Sequence, residues 1–447
     1  MKEIRRISGP LLSFGLHLLL ILGLFSWWRS RPPAKEEGVE LEMGLFEEAE
    51  EPPAPEEAEA PPEEEPQEEP QPEELPAEEV LEEEELPAVP QVEESPPKEP
   101  KKKASPPAKE IFKSRSSSKA RKNALRKFGG SPAVEEAVLK GLRWLKEHQN
   151  EDGSWSRAEA PAMTGLALLA YLAHGETPAS EEFGKTVQSA MDFLIAHVER
   201  ANGPDADYRN GIIACALAEG YGFCELPALR EPARKCIGWI VAGQQENGGF
   251  DYNYKKEQRW DLSIACWQYQ ALHAAMIADL KVRGTQNALE RGVRFIREVT
   301  YSAKNHRFGY SSPGKGTDGL QGAALYCLLL LGRRNAPEVK MTADYLREHC
   351  QVVWDSFQKQ NKGGTDNPFY AWYYQTQAMF RLGGSYWREW NRRFAKEIIR
   401  NQQQEGYWIC PNASPRTVAY ERFYSTTMAL LTLEVYYRYL PSSGEKS

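Results

Sequence analysis

Apolar residues are distributed along the chain in two alternating textures. In the first they form a single helical stripe: Val138, Leu142 and Leu145 share one face, with Lys140, Arg143 and Lys146 elsewhere. In the second, apolar and small residues cover a helix all round, as in Thr164-Gly-Leu-Ala-Leu-Leu-Ala-Tyr-Leu172 and Thr426-Thr-Met-Ala-Leu-Leu-Thr-Leu433, which calls for burial on every side. The first texture carries a recurring pair, Trp144-Leu145, Phe193-Leu194, Trp239-Ile240, Phe295-Ile296, Tyr345-Leu346 and, more weakly, Ile398-Ile399, at steps of 49, 46, 56, 50 and 53 residues. A helix of the second texture follows each pair, opening near Thr164, Gly211, Ser263, Gln321, Thr376 and Thr426. Amphipathic helices alternating six times with fully apolar ones predict two concentric rings. The last inner helix, through Leu440, is as apolar as the others, which favours a closed ring over a solenoid ending in polar caps. The predicted fold is all-α, an (α/α)6 toroid of six helix pairs spanning residues 130–447.

The same pattern separates the first 129 residues from this domain. Pro10 to Trp28 is a run of nineteen residues with His17 as its only potentially charged member, long enough as a helix of about 28 Å to cross a hydrocarbon core. Lys2, Arg5 and Arg6 precede it, and it ends in Trp27-Trp28-Arg29 with no small-residue cleavage site. Residues 1–31 are therefore expected to be a single-pass anchor, with a cytoplasmic N-terminus and the toroid in the periplasm. Ser13 and His17 lie on one helix face, and ionisable groups at membrane depth point to function. With Leu24 they resemble the membrane helix of TonB energy transducers, in which a Glu/Pro-rich linker also follows. That resemblance implies docking of Ser13 and His17 on an ExbB–ExbD-like stator.

The formal net charge of −9 hides three unlike regions. Between Glu36 and Glu99 stand 27 Glu and one base, Lys98. Residues 32–100 are thus expected to be a disordered acidic Pro/Glu-rich linker, extended by self-repulsion. Residues 101–129, with eleven bases against Glu110, are expected to be a basic linker, solvated or resting on acidic lipid. From Gly130 onward 37 bases meet 35 acids, a balance without the positive field that nucleic-acid binding requires. All seven cysteines lie in the repeat region, and Cys224 with Cys236 is the pair to consider for a disulfide at an extracytoplasmic address.

Glycine and an aromatic residue mark the turns between paired helices. Gln149-Asn-Glu-Asp152-Gly153-Ser-Trp155 resembles the Gln-Trp repeat of squalene–hopene cyclases. Gln245-Glu-Asn-Gly248-Gly249-Phe250 and Gln404-Glu-Gly406-Tyr407-Trp408 are variants of it, and Arg307-Phe-Gly309-Tyr310 is a degenerate copy. In these turns Gly is expected to supply the tight bend, the aromatic to pack on the preceding helix end, and Gln to cap its carbonyls. The repeats together resemble the terpenoid cyclase/protein prenyltransferase superfamily. Tyr373-Tyr374-Gln375-Thr376-Gln377 also looks like the toroids of planctomycete and verrucomicrobial envelope proteins.

The resemblance implies a central cavity at the N-terminal ends of the inner helices. Class II terpenoid cyclases place Asp-x-Asp-Asp-Thr there, a motif this chain lacks. Arg259-Trp260-Asp261-Leu262-Ser263 comes nearest and matches Asp261 to the proton-donating Asp, with Arg259 expected to lower its pKa. Ser263 and Ser425 stand where prenyltransferases carry Cys and His zinc ligands, so no metal and no cofactor is expected. Asp205, Asp207 and Asp318 precede or open inner helices, and Tyr373, Tyr424 and Arg422 add aromatic faces and a cation. Such a cavity suits an isoprenoid or other apolar ligand, although each Asp also suits an N-cap and each aromatic a core position. Asn305-His306-Arg307 with Tyr310 also holds residue types used for β-elimination on uronates. The functional expectation is a membrane-anchored toroid serving as a ligand-binding or scaffold module. The alternatives are a squalene-type cyclase using Asp261 as acid and a TonB-like transducer.

Overall fold

The computed structural model describes residues 112–205, 207–354, 367–411 and 418–438, with the main chain alone at 207 and 418–420. The expected membrane helix with Ser13 and His17, and the acidic linker, lie outside the described residues. Among those described, no helix is long and apolar enough to cross a membrane.

Helix α1 (Ser118–Phe128) precedes six outer–inner pairs. They are α2 (Pro132–Glu147) with α3 (Ala160–His174), α4 (Gly184–Arg200) with α5 (Asp207–Cys224), and α6 (Arg230–Gly243) with α7 (Leu262–Ile277). Then come α8 (Thr285–Arg294), continued by a π-helical turn Phe295–Thr300, with α9 (Asp318–Leu330), and α10 (Pro337–His349) with α11 (Pro368–Leu382). In the last pair the outer helix is broken into α12 (Gly384–Asn391) and α13 (Phe394–Arg400), which precede α14 (Val418–Leu433); a short α15 (Val435–Arg438) follows. Between α8 and α9 the strands β1 (Tyr301–Ser302) and β2 (Arg307–Phe308) pair antiparallel, Tyr301 opposite Phe308. Each inner helix packs on the next, and α14 packs back on α3, so the ring is closed. The inner helices are buried nearly all round, whereas α2 buries one stripe containing Val138, Leu142 and Leu145.

The Gly/aromatic turns join neighbouring repeats, and their parts differ from the sequence expectation. The aromatic does the capping: the Trp155 indole N–H donates to Leu145 O at 2.7 Å and that of Trp408 to Ile398 O at 2.8 Å. Glutamine instead ties one repeat to the next. Gln149 Nε2 donates to Gly153 O and to Thr186 O, Gln244 to Gly248 O and Ala288 O, and Gln402 to Gly406 O and Ala137 O. The working glutamines of the second and third turns are thus Gln244 and Gln402, not Gln245 and Gln404. Gln245 holds the following loop through Lys255 O and Arg259 O. The small or polar residues that open inner helices receive these turns, since the N–H groups of Trp155, Phe308 and Trp408 donate to Thr164, Gln321 and Thr426. Each such bond removes a buried orphan, for which the cost of leaving one is about 1–3 kcal/mol.

Residues 112–128 do not continue the basic linker but strap the base of the ring, at the C-terminal ends of the inner helices. Arg115 is completely buried and pairs with Glu219 of α5 at 2.6 Å, and Ser114 donates to Tyr437 O. Arg121 pairs with Glu135 at 2.9 Å and donates to His174 O. Trp387 and Asn391 hold Phe128 O from α12. Cys224 and Cys236, the pair considered for a disulfide, are not joined.

Candidate functional site around Asp261

Asp261 is the N-cap of α7. Its Oδ1 accepts the Ile264 N–H at 3.0 Å, and its own N–H donates to Phe250 O at 2.8 Å. The capping role expected for aspartates at inner-helix starts is therefore real at Asp261, and it fixes the carboxyl at the mouth of the ring. The side chain is completely buried. Two tyrosines lie within electrostatic reach of it, Tyr208 from α5 and Tyr310 from the loop after β2, and Tyr252 from the loop after α6 and Tyr370 from α11 neighbour Tyr208. The Tyr310 hydroxyl lies within electrostatic reach of the Asp261 carboxyl and 3.3 Å from the hydroxyl of Tyr252. Tyr370 and Ser263 share a 2.7 Å hydrogen bond. Buried Tyr208 has a hydroxyl with no hydrogen-bond partner among the described residues.

Burial decides the protonation of Asp261. Removal from water pushes its pKa from 3.8 up to about 6, against the opposing pull of Tyr310, the Ile264 N–H and Arg259. Arg259 does pull this pKa down, as expected, but burial outweighs it and the net shift is upward. The Arg259 guanidinium pairs with Asp251 and lies 5.1 Å over the Tyr252 ring, so much of its charge is already compensated. A carboxyl whose pKa rises on folding binds its proton more tightly in the folded than in the unfolded chain. Its stabilising effect is complete below pH about 4 and is lost as pH rises through about 6. Asp261→Asn should remove that dependence. The stability of the variant relative to the parent is expected to rise between pH 4 and 6, by an amount of order 3 kcal/mol. Urea unfolding at a series of pH values measures it, and a constant gap would rule out the raised pKa.

The other expected site residues do not all converge on Asp261. Asp205 is held at 2.7 Å by His197 of the outer helix α4. Asp207 opens α5, and its side chain lies outside the described residues. Asp318 accepts from Arg307 at 2.9 Å and Tyr345 at 2.8 Å, so it ties the hairpin to α10. The N-cap of α9 is Thr317 instead. Arg422 is exposed and stands 5.1 Å over the Tyr407 ring, on the rim. Tyr424 is buried. Tyr373 is buried on the ring axis, stacked on Trp267 at 6.3 Å and bonded to Arg438 and Gln270. Because α7 and α11 are not neighbours in the ring, the Trp267–Tyr373, Gln270–Tyr374 and Ser263–Tyr370 contacts bridge its axis. Below Tyr370 the interior is filled by aromatic rings in mutual contact.

The elimination-type set comes apart in the structure. His306 is exposed and contacts Tyr301, Arg307 holds Asp318, and Tyr310 alone faces Asp261. Ser425 donates to Glu421 at 2.6 Å, and among the described residues no three His, Cys, Asp or Glu side chains are grouped to hold a metal. Tyr208, Tyr252 and Tyr310 escape sequence reasoning as members of the cluster beside Asp261. Their one signal is position, each lying next to an inner-helix start or in a Gly/aromatic turn of repeats two to four.

No protein-family model matches this chain, and no curated protein matches it. Among solved structures, the alpha-1,6-mannanase from Salegentibacter sp. HEL1_6 aligns with a TM-score of 0.53 at 9% identity, covering 68% of this chain and 98% of that one. A D-mannose isomerase aligns with a TM-score of 0.52 at 11% identity, covering 69% and 98%. A type II terpene cyclase from Scytonema, in complex with geranylgeranyl dihydroxybenzoate, gives a TM-score of 0.46 at 12% identity, covering 68% and 97%. At these identities the likeness is one of fold, and the chain is an α/α toroid.

Proposed function

We propose that this chain is a membrane-tethered binding module, with a toroid that receives its ligand at the mouth of the ring, on Asp261. The observation that carries this reading is a cluster of four tyrosines from separate elements, two of which, Tyr208 and Tyr310, lie within electrostatic reach of one completely buried carboxyl. Groups that serve only the core do not need a carboxyl among them, and a cap alone does not need the phenols. Tyr208, with its unsatisfied hydroxyl, supplies a polar contact for a ligand. The bridged axis favours a compact ligand with apolar faces and a hydroxyl or similar polar end, such as the functionalised end of an isoprenoid. It disfavours a long chain threaded through the ring.

Native mass spectrometry of the full chain in detergent, with squalene, a polyprenyl phosphate and short oligosaccharides as probes, tests the site. Binding of one class, weakened at least about tenfold by both Asp261→Asn and Tyr370→Phe, is the expected result. Binding indifferent to both substitutions would place the ligand elsewhere. A second reading, acid catalysis of the squalene-cyclase type, is favoured by the raised pKa of Asp261.

Residues 10–28 are proposed to anchor the chain in the inner membrane, with the toroid in the periplasm. Docking of Ser13 and His17 on an ExbB–ExbD-like stator is the third reading. It predicts that His17→Ala abolishes co-purification with such a complex while leaving the chain in the membrane. Unchanged co-purification would eliminate it.

A further inference from the structure

The strap, Phe112–Phe128, is the point at which the long N-terminal segment joins the ring, and its contacts are of an unusual kind. Arg115 is buried with no exposed surface, its guanidinium lying 4.3 Å from the Phe112 ring centroid and 4.7 Å from that of Phe223. It reaches Glu219 Oε1, while Arg438 Nη2 reaches Oε2 of the same carboxylate at 3.1 Å. Arg438 Nη1 donates to the Tyr373 hydroxyl at 3.2 Å, and Tyr373 donates to Gln270 Oε1 at 3.3 Å. Gln270 Nε2 bonds the Tyr374 hydroxyl at 2.9 Å, and the Tyr374 ring packs 4.8 Å from that of Tyr370. Tyr370 bonds Ser263, two residues from Asp261. A continuous series of buried contacts therefore runs along the axis from the strap at the base to the site at the mouth.

Ring closure does not use the strap. The last turn meets the first outer helix through Gln402 and Ala137, the N–H groups of the turn aromatics bond the inner helices, and α14 packs on α3. The strap consists of a 3-10 turn, Lys113–Arg115, and the eleven-residue α1, on which Ser118, Lys119, Lys122, Asn123, Arg126 and Lys127 are exposed. A short element held by buried ion pairs and by the apolar side chains of Phe112, Ala124 and Leu125, outside the contacts that close the ring, has the makings of a separate cooperative unit.

We propose that Phe112–Phe128 is a releasable latch, which opens as a unit while the ring stays closed and which is coupled to the Asp261 site through Glu219, Arg438 and Tyr373. Opening withdraws Arg115 and Arg121 from Glu219 and Glu135, while Arg438 stays beside Glu219. Arg438 then has reason to shift toward that carboxylate, away from Tyr373. In this way a pull or a binding event on the preceding segment changes the packing of the tyrosines under Asp261. The latch goes beyond the binding reading and does not rest on it, since both ends are measured without a ligand.

Hydrogen exchange of the full chain, read by mass spectrometry peptide by peptide, tests it. Amides of residues 118–128 should exchange together, at least about a hundredfold faster than those of α7 and α11. Arg115→Gln should speed the strap alone by about tenfold or more. Tyr373→Phe, which touches no strap residue, should also speed the strap, because coupling between two sites is reciprocal. Phe112→Ala replaces Arg115→Gln if the latter does not fold. Strap amides that exchange only with the inner helices, in parent and variants alike, would overturn the latch. A strap that opens alone but ignores Tyr373→Phe would overturn its coupling to the site.

Discussion

Gly406→Ala should cost the folded chain at least about 3 kcal/mol, enough to halt its accumulation if the parent is only moderately stable. Gly406 lies in the last Gly/aromatic turn with φ +113°, and a Cβ there would sit closer than 3.0 Å to Lys140 O. That oxygen belongs to the backbone of α2, so the obstacle is not a side chain that can swing away. The left-handed backbone adds its own penalty for any L residue with a side chain. The contact joins the last repeat to the first, so relief by backbone movement opens the seam of the ring. Gly153 and Gly248 have the same geometry, facing Ser189 O and Arg291 O at ordinary joints between neighbouring repeats. A methyl at Gly203 would meet nothing within 4 Å, so Gly203→Ala serves as the control, with an expected change below about 1 kcal/mol. Urea unfolding of the four variants measures the difference, and equal losses at Gly406 and Gly203 would mean that the seam does not carry the fold.

Glu219→Ala is the second large effect, expected at about 3–5 kcal/mol. Glu219 is 1% exposed and compensates Arg115 and Arg438, which are 0% and 2% exposed. Its removal takes a carboxylate partner from two guanidinium groups in the interior, one on each side of the join between strap and ring. Glu219→Gln retains the shape and one acceptor, so it should lose less. If the two substitutions were equally mild, the buried network would not hold the base of the ring together.

Much of the fold is legible in the sequence because it is repeated. The alternation of striped and all-apolar helices and the recurring Gly/aromatic turn encode outer helices, inner helices and closure, and the structure has them in that order. The register of the glutamines is not legible, since Gln244-Gln245 and Gln402-Gln403-Gln404 offer several chemically equal choices. Only the neighbouring carbonyls, Ala288 O and Ala137 O, select between them. The strap resembles solvated linker because its composition is basic. Its partner Glu219 stands 104 residues beyond Arg115, and charge counting has no access to such pairing. Asp261 is legible from its place before an inner helix, whereas Asp205 and Asp318, which precede and open inner helices, and Arg422, in the first turns of α14, turn to other partners. The tyrosines around Asp261 are hidden by the motif itself, in which an aromatic is ordinarily a packing residue. Burial, a property of the assembled ring, then overrides the local effect of Arg259 on the pKa.

A site that binds its ligand at Asp261 and leaves it unchanged can be told directly from one that converts it. The measurement is to incubate the full chain with the tightest-binding probe near pH 6 and analyse everything extracted from it by mass spectrometry, with Asp261→Asn alongside. Binding without conversion predicts recovery of the probe with its mass and chromatographic identity intact, retained by the parent and lost from the variant. A converted product, cyclised or cleaved, that forms with the parent and disappears with Asp261→Asn would contradict it and make Asp261 the acid of an enzyme.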